Sequence, residues 1–310
     1  MDYPRIVFMG TPEIAEFILT GLLDNGYPIV GVIAQEDKPV GRKKIIEPVP
    51  TKKAALARKI PVFQPHRIRL DYEFIRELKP DLIITCAYGQ IIPQELIDIP
   101  SLGCINVHGS LLPKYRGASP IQQALIHNDR LTGVTILEMT AKMDAGKMLY
   151  QKEIAVDDDE NYTSLYQKIA VLGLQALLEM LPDYIAGKIQ GEEQDESGVT
   201  LCKKISKEEE HLSVGFSCEE FVGYVRGLSY SPGGYLLYGN EVFKILRAKK
   251  ANSRVQGEPG QIVSMDKDGI LLQLKDGQVS LTEVQRQGKK RMKAAEFVNG
   301  NRQMIGARLA

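Results

Sequence analysis

The sequence predicts an α/β domain with a mostly parallel sheet, followed by a smaller, mostly β domain, and three observations carry that reading. A chain of 310 residues is longer than one average hydrophobic core serves. Its first 150 residues alternate short apolar runs with amphipathic segments, the texture of βαβ units. Beyond about residue 210 the texture changes to strand-like runs broken by turn signals.

The predicted parallel strands are RIVFMG at 5–10, PIVGVIA at 28–34, DLIITCAY at 81–88 and CINVH at 104–108. Between the first two, EIAEFILTGLL places Ile14, Phe17, Ile18 and Leu22 at helical spacing. GTPEIA opens that helix, with Thr11 as the expected N-cap and Pro12 at the first helical position. Neither GxGxxG nor a Walker A sequence is present, so a dinucleotide or nucleoside triphosphate is not supported here.

Further on, VTILEM and KMLYQKEIAV read as a β-ribbon around Asp144, and NYTSLYQKIAVLGLQALLEMLPDYIAGK reads as one helix ending near Gly187. The apolar pattern then lapses through GEEQDESG and KKISKEEE. The expected division is a domain over 1–188, a linker over 189–208 and a second domain over 209–310. In the last part SCEEFVGYVRGL is a short helix, and YGN with two KDG turns between alternating runs predicts a small antiparallel barrel or sandwich.

Hydrophobic residues at 44% and charged residues at 25% are ordinary for a globular protein, so disorder is not the default reading. No basic segment followed by a long apolar stretch opens the sequence, and no later run approaches a membrane span, so a cytoplasmic protein is expected. Cysteines at 86, 104, 202 and 218 lack the close pairs of a zinc or redox motif, which points to reduced thiols. The net charge is zero but uneven. Residues 1–200 hold 21 Lys+Arg against 27 Asp+Glu, and residues 201–310 hold 18 against 12. The positive excess in the second part suits an anionic partner such as nucleic acid.

Asn106 and His108 alternate with Val107, so an extended strand projects both to one face. Gly109, Ser110, Pro113, Gly117, Ser119 and Pro120 follow as a loop, and in an open parallel sheet ligands bind where strands end in such loops. A lone histidine is more often structural, and Asp144 in AKMDAGKML more often just starts a turn. A carboxylate beside His108 would fix its tautomer. Spacing alone does not show that the three residues meet.

GCINVHGSLLPKYRGASPIQQALI at 103–126, GTPEIA at 10–15, AYGQIIP at 87–93 and MDAGKML at 143–149 together resemble the folate-dependent formyltransferase superfamily. Within it, the likeness to the methionyl-tRNA formyltransferase family extends over essentially the whole chain, including the basic segment QEDKPVGRKK and the C-terminal β domain. The resemblance implies a Rossmann-like N-terminal formyltransferase domain, a linker and an OB-like β-barrel. It also implies formyl transfer from 10-formyltetrahydrofolate, as co-substrate, to the α-amino group of methionine on initiator tRNA, with no metal and a monomeric protein.

Residue by residue, Asn106, His108 and Asp144 match the family's catalytic triplet, and Ser110, Leu111, Leu112 and Pro113 its folate-binding segment. The loop carrying Arg42, Lys43 and Lys44 matches the one that reaches the tRNA acceptor end. Lys203, Lys204, Lys207 and GKKRMK at 288–293 are further phosphate contacts to expect. An α-amino group with a pKa near ~8 is substantially unprotonated in the cell and attacks without a protein nucleophile. Asn106 and His108 would then stabilise the formyl oxyanion while Asp144 assists proton transfer. Two alternatives stand beside this: another folate-dependent amine formyltransferase, and a non-catalytic RNA-binding protein.

SYSPGGYL departs from the pattern of many relatives, because the tryptophans expected there are missing from the whole chain.

Overall fold

The computed structural model describes residues 4–40, 45–252 and 256–310. They form two compact units. The first comprises the described residues of Met1–Gly117, Gly133–Ile154 and Tyr166–Leu201, and the second those of Ala118–Thr132, Ala155–Leu165 and Cys202–Ala310.

In chain order the first part holds β1 (Ile6–Gly10), α1 (Glu13–Asp24), β2 (Ile29–Ile33), β3 (Lys38–Val40), β4 (Ile45–Glu47), α2 (Pro50–Ala57), β5 (Val62–Phe63), α3 (Phe74–Leu78), β6 (Leu82–Cys86), α4 (Gln94–Ile97) and β7 (Cys104–His108). Then come β8 (Arg116–Gly117), α5 (Pro120–Ile126), β9 (Leu131–Glu138), β10 (Met148–Ala155) and α6 (Tyr162–Ile185).

Among the described residues one seven-stranded sheet runs in the order β10-β9-β7-β6-β1-β2-β5. From β5 to β7 the pairings are parallel, and β9 then pairs antiparallel to β7. Every residue of β1 and β6 is buried, because strands covered on both faces need apolar side chains on both. The chain steps from β1 outward to β2 and β5, then returns on the other flank to β6 and β7. Loops after β1, β6 and β7 therefore leave the same edge of the sheet, where such a reversal opens a crevice.

Two details of α1 differ from the expectation. The helix begins at Glu13 with Pro12 as its cap. Thr11 does not cap it. Its hydroxyl instead donates to the Tyr88 carbonyl at 3.3 Å and accepts from the Gln35 N–H at 3.2 Å. The buried face is Ile14, Ala15, Ile18, Leu19 and Leu22, while Phe17 stays 43% exposed.

The rest of the chain holds β11 (Leu201–Cys202), α7 (Cys218–Leu228), β12 (Tyr235–Tyr238), β13 (Glu241–Ala251), β14 (Ile262–Asp266), β15 (Gly269–Gln273), β16 (Gln278–Arg286), β17 (Met292–Lys293) and α8 (Ala294–Val298). The antiparallel order is β12-β13-β16-β15-β14, with β17 on β16. The expected turns join these strands: Gly239 and Asn240 between Tyr238 and Glu241, Lys267 and Asp268 between Asp266 and Gly269. Residues 306–310 then bond to both outer strands of the row. Ile262 N–H donates to the Ala307 carbonyl at 2.9 Å, and Leu237 and Ala310 exchange bonds of 2.6 and 2.9 Å. The sheet is thereby closed on itself, which leaves fewer unpaired edge groups.

A buried cluster fills this second unit, with Phe221, Val225, Phe243, Ile245, Leu272 and Leu281 at its centre. Helix α7 starts with a reciprocal capping box, Ser217 bonding the Glu220 N–H and Glu220 returning to Ser217. Within the same unit α5 packs on α7 so closely that a Cβ on Gly223 would lie 2.4 Å from the Ile126 carbonyl oxygen.

Residues 189–208 carry structure of their own. Glu192 bridges to Met148, Glu196–Gly198 forms a 3₁₀ turn, and β11 pairs with β8. No helix among the described residues is long and apolar enough to cross a membrane. The four cysteines are buried.

Candidate active site

The last residue of β7 is His108, and it lies at the sheet edge where the β1, β6 and β7 loops emerge. Asn106 is half-buried and His108 buried, on the same side of β7. Asp144 reaches them from the loop joining β9 to β10. That loop must double back tightly: Glu138 N–H donates to the Lys147 carbonyl at 2.9 Å, and a Cβ on Gly146 would sit 1.9 Å from the Glu138 oxygen. Only glycine fits there. Asp144 itself takes a left-handed backbone with φ of 50°, a conformation that aspartate tolerates better than most residues.

The three side chains converge. Asp144 Oδ2 lies 3.6 Å from His108 Nδ1, and Asp144 Oδ1 accepts from Asn106 Nδ2 at 3.4 Å. The backbone N–H of Gly117 donates to Asp144 Oδ2 at 2.9 Å, so the carboxylate is held from a second side. The side chains of His108 and Asp144 are 6% and 13% exposed, enough burial to strengthen their mutual field over its value in water.

Two contacts set the orientation of the outer members. His108 Nε2 lies 2.9 Å from the Tyr115 carbonyl oxygen. A carbonyl only accepts, so Nε2 is directed at Tyr115 as a donor, and Nδ1 is the nitrogen that faces the Asp144 carboxylate. On the other flank Thr85 Oγ1 donates to Asn106 Oδ1 at 2.7 Å, which turns the Asn106 amide N–H groups toward the site.

The segment 110–113 folds against β9 and β10. Ser110 is buried and its hydroxyl donates to the Lys114 carbonyl at 2.6 Å. Leu112 N–H donates to Thr135 Oγ1 and the Leu112 carbonyl accepts from Gln151. Leu111 and Pro113 are half-buried. In AYGQIIP, Tyr88 is buried and its carbonyl accepts from both Thr11 and Gln35. Ala87 and Gly89 flank it, exposed and with left-handed φ of 47° and 82°. Burial pushes the phenol of Tyr88 upward, and its hydroxyl has no hydrogen-bond partner among the described residues.

Arg42, Lys43 and Lys44 lie outside the described residues. Lys203, Lys204, Lys207 and the residues of 288–293 are exposed. Arg291 of the latter stacks its guanidinium 5.1 Å from the Tyr230 ring centre. Among the described residues no group of three or more His, Cys, Asp or Glu is arranged to hold a metal ion.

A family profile described as formyl transferase matches residues 4–181, and one described as formyl transferase, C-terminal domain, matches residues 204–302. Methionyl-tRNA formyltransferase of Bacillus licheniformis is 44% identical over 308 residues, 98% of each chain. The same enzyme of Bacillus subtilis is 43% identical over 299 residues, 96% of this chain and 94% of the relative. The chain belongs to the methionyl-tRNA formyltransferase family. The fold reaches beyond that family: an N-formyltransferase from Helicobacter canadensis, solved with folinic acid and dTDP-3-aminofucose, superposes with a TM-score of 0.70 at 17% identity, over 90% of this chain and 98% of its own.

For a member of the methionyl-tRNA formyltransferase family, the residues that sequence reading missed are those that orient others. Thr85 sits inside an apolar strand and Tyr115 acts through its carbonyl, so neither leaves a pattern. Gln194 lies in GEEQDESG, whose composition reads as linker, yet it is 7% exposed.

Proposed function

We propose that the chain transfers the formyl group of 10-formyltetrahydrofolate to the α-amino group of methionine on initiator tRNA, yielding N-formylmethionyl-tRNA for translation initiation. It works as a monomer in the cytoplasm. The observation that carries this is the convergence of Asn106, His108 and Asp144 at one sheet edge in a chain that belongs to this family.

Asn106 supplies an N–H donor to the formyl oxygen as negative charge develops there, and one such donor is typically worth ~3–4 kcal/mol. The Nε2 N–H of His108 is not available to that oxygen, because it is already directed at Tyr115. His108 therefore acts first through Nδ1, taking a proton from the attacking nitrogen as the C–N bond forms. The protonated ring then stabilises the oxyanion and returns the proton to N10 of the folate as the bond from the formyl carbon to N10 breaks. Asp144 faces Nδ1 and steadies the imidazolium between those two transfers.

The residues around the site suit a folate. Exposed backbone at Ala87 and Gly89 offers polar groups for a pterin edge, and Leu111 and Pro113 offer apolar surface for a flat ring. Ser110 and Leu112 support that wall from behind. For the tRNA, Arg42, Lys43 and Lys44 meet the acceptor end, while the exposed lysines at 203, 204 and 207 and the 288–293 segment contact phosphates. Residues 1–188 accordingly carry the chemistry and 209–310 hold tRNA.

The test is to incubate the protein with 10-formyltetrahydrofolate and, separately, methionyl-tRNA, free methionine, glycinamide ribonucleotide or an amino-sugar nucleotide. Formyl transfer to methionyl-tRNA alone is expected; transfer to a small amine and not to the tRNA overturns the reading. His108→Ala should lower turnover far more than it weakens folate binding, and unchanged turnover in the folded variant removes His108 from the mechanism.

A further inference from the structure

The carboxylate of Asp144 is held on a backbone that is itself held, and the holding group comes from the segment joining the end of α6 to β11. The side-chain amide of Gln194 donates through Nε2 to two carbonyl oxygens, that of Asp144 and that of Gly146, both at 2.8 Å. A single NH2 group thus spans the turn that carries Asp144. The other end of the same amide is fixed too: Gln194 Oε1 accepts from Arg116 Nε at 2.9 Å. A reversed amide would aim its oxygen at two carbonyls and its hydrogens at a guanidinium, so only one orientation is satisfied.

Arg116 and Gln194 are each 7% exposed, and Arg116 Nη2 is anchored outward on Glu196 Oε1 at 2.9 Å. That bond holds the Glu196 carboxyl below its ordinary range. The residue after Arg116 is Gly117, whose N–H grips the Asp144 carboxylate. The dipeptide 116–117 therefore acts on Asp144 twice, directly at the carboxylate and through Gln194 at the backbone. An aspartate in a left-handed conformation needs such surroundings, since the backbone alone does not favour it.

We propose that Gln194 is a positioning residue for the formyl-transfer site, setting where Asp144 stands relative to His108, and that Arg116 keeps its amide in the productive orientation. The inference rests on the catalytic role of Asp144 proposed above. With the two donors removed, the turn is free to move by a fraction of an ångström to an ångström. A misplacement of that size in a catalytic group lowers turnover by up to about 100-fold.

The experiment is a double-mutant cycle on the full chain with Gln194→Ala, Asp144→Ala and the pair, measuring kcat, the KM for 10-formyltetrahydrofolate and the melting temperature. Gln194→Ala is expected to lower kcat by about 10- to 100-fold with the folate KM within about twofold, and to add nothing once Asp144 is gone. If its effect multiplies with that of Asp144→Ala, or falls on KM, or is absent while Asp144→Ala is inactive, the positioning role is overturned and the site reading stands. An Asp144→Ala enzyme with full turnover overturns both. Should Gln194→Ala prove unfolded at the assay temperature, Gln194→Glu is judged by the same criteria, because it keeps the volume and the Arg116 contact and loses both donors.

Discussion

Thr85 offers a perturbation whose consequence can be worked out from its burial and two distances. It is 2% exposed, and its hydroxyl donates to Asn106 Oδ1 at 2.7 Å while Asn106 Nδ2 reaches Asp144 at 3.4 Å. Thr85→Val replaces the hydroxyl with a methyl of similar shape, so the packing around it is preserved while the acceptor on Asn106 loses its donor. An orphaned, partly buried acceptor costs about 1–3 kcal/mol. The amide then has reason to rotate, and its oxygen instead of its N–H groups can face the formyl oxygen. Loss of a net hydrogen bond of about 1 kcal/mol corresponds to about fivefold in rate, and loss of the whole oxyanion donor to about 100- to 1,000-fold. The expected fall in kcat lies between those limits, with little change in the folate KM and a decrease in melting temperature of a few degrees, on the order of 2–4 °C per kcal/mol. The assay is steady-state formylation of methionyl-tRNA with Thr85→Ser as the control, since serine retains the donor. Equal kcat for the valine and serine variants would refute the claim that Thr85 orients Asn106.

Three further outcomes are expected. Arg42→Ala should raise the KM for tRNA and flatten its dependence on salt, because each lost phosphate contact reduces counterion release; a salt-independent tRNA KM in the unaltered protein would remove the electrostatic account. Burial raises the Cys86 thiol from its ordinary 9.0 to about 12. The folded state therefore keeps a proton that the unfolded chain sheds above pH 9, so its stabilising contribution is whole below pH 9 and is lost as pH rises toward 12. Urea melts should show less loss of stability between pH 8 and 10 in Cys86→Ala than in the unaltered chain, and identical losses would contradict this. Leu309 is 1% exposed beside the strand-closing bonds of residues 306–310. Leu309→Ala should destabilise the protein by about 2–5 kcal/mol in denaturant melts, and a change below 1 kcal/mol would show that the closure contributes little.

Much of the architecture could be read from pattern. Mostly apolar runs at 6–10 and 82–86 became fully buried central strands, and the turn dipeptides of the second part became hairpin loops. Local pattern misled at Thr11, where a good capping residue was drawn away by partners at Gln35 and Tyr88, and at Phe17, which the helical period placed inward and the packing left outward. Neither partner of Thr11 is near it in sequence, so no local rule could have anticipated them.

The sequence by itself determined which chemistry was within reach: an Asn and a His two residues apart at the end of a strand, and an Asp in a Gly-containing turn. Alternation along a strand is a local property, and it is written in consecutive residues. Only the tertiary structure decided that Asp144 stands 3.6 Å from His108, that Nε2 meets the Tyr115 carbonyl and leaves Nδ1 facing Asp144, and that a glutamine from a segment of linker composition bonds the turn. Those relations depend on hydrogen bonds between residues up to 50 positions apart, and hydrogen-bond partners at that range are chosen by the packing of the whole sheet and its loops.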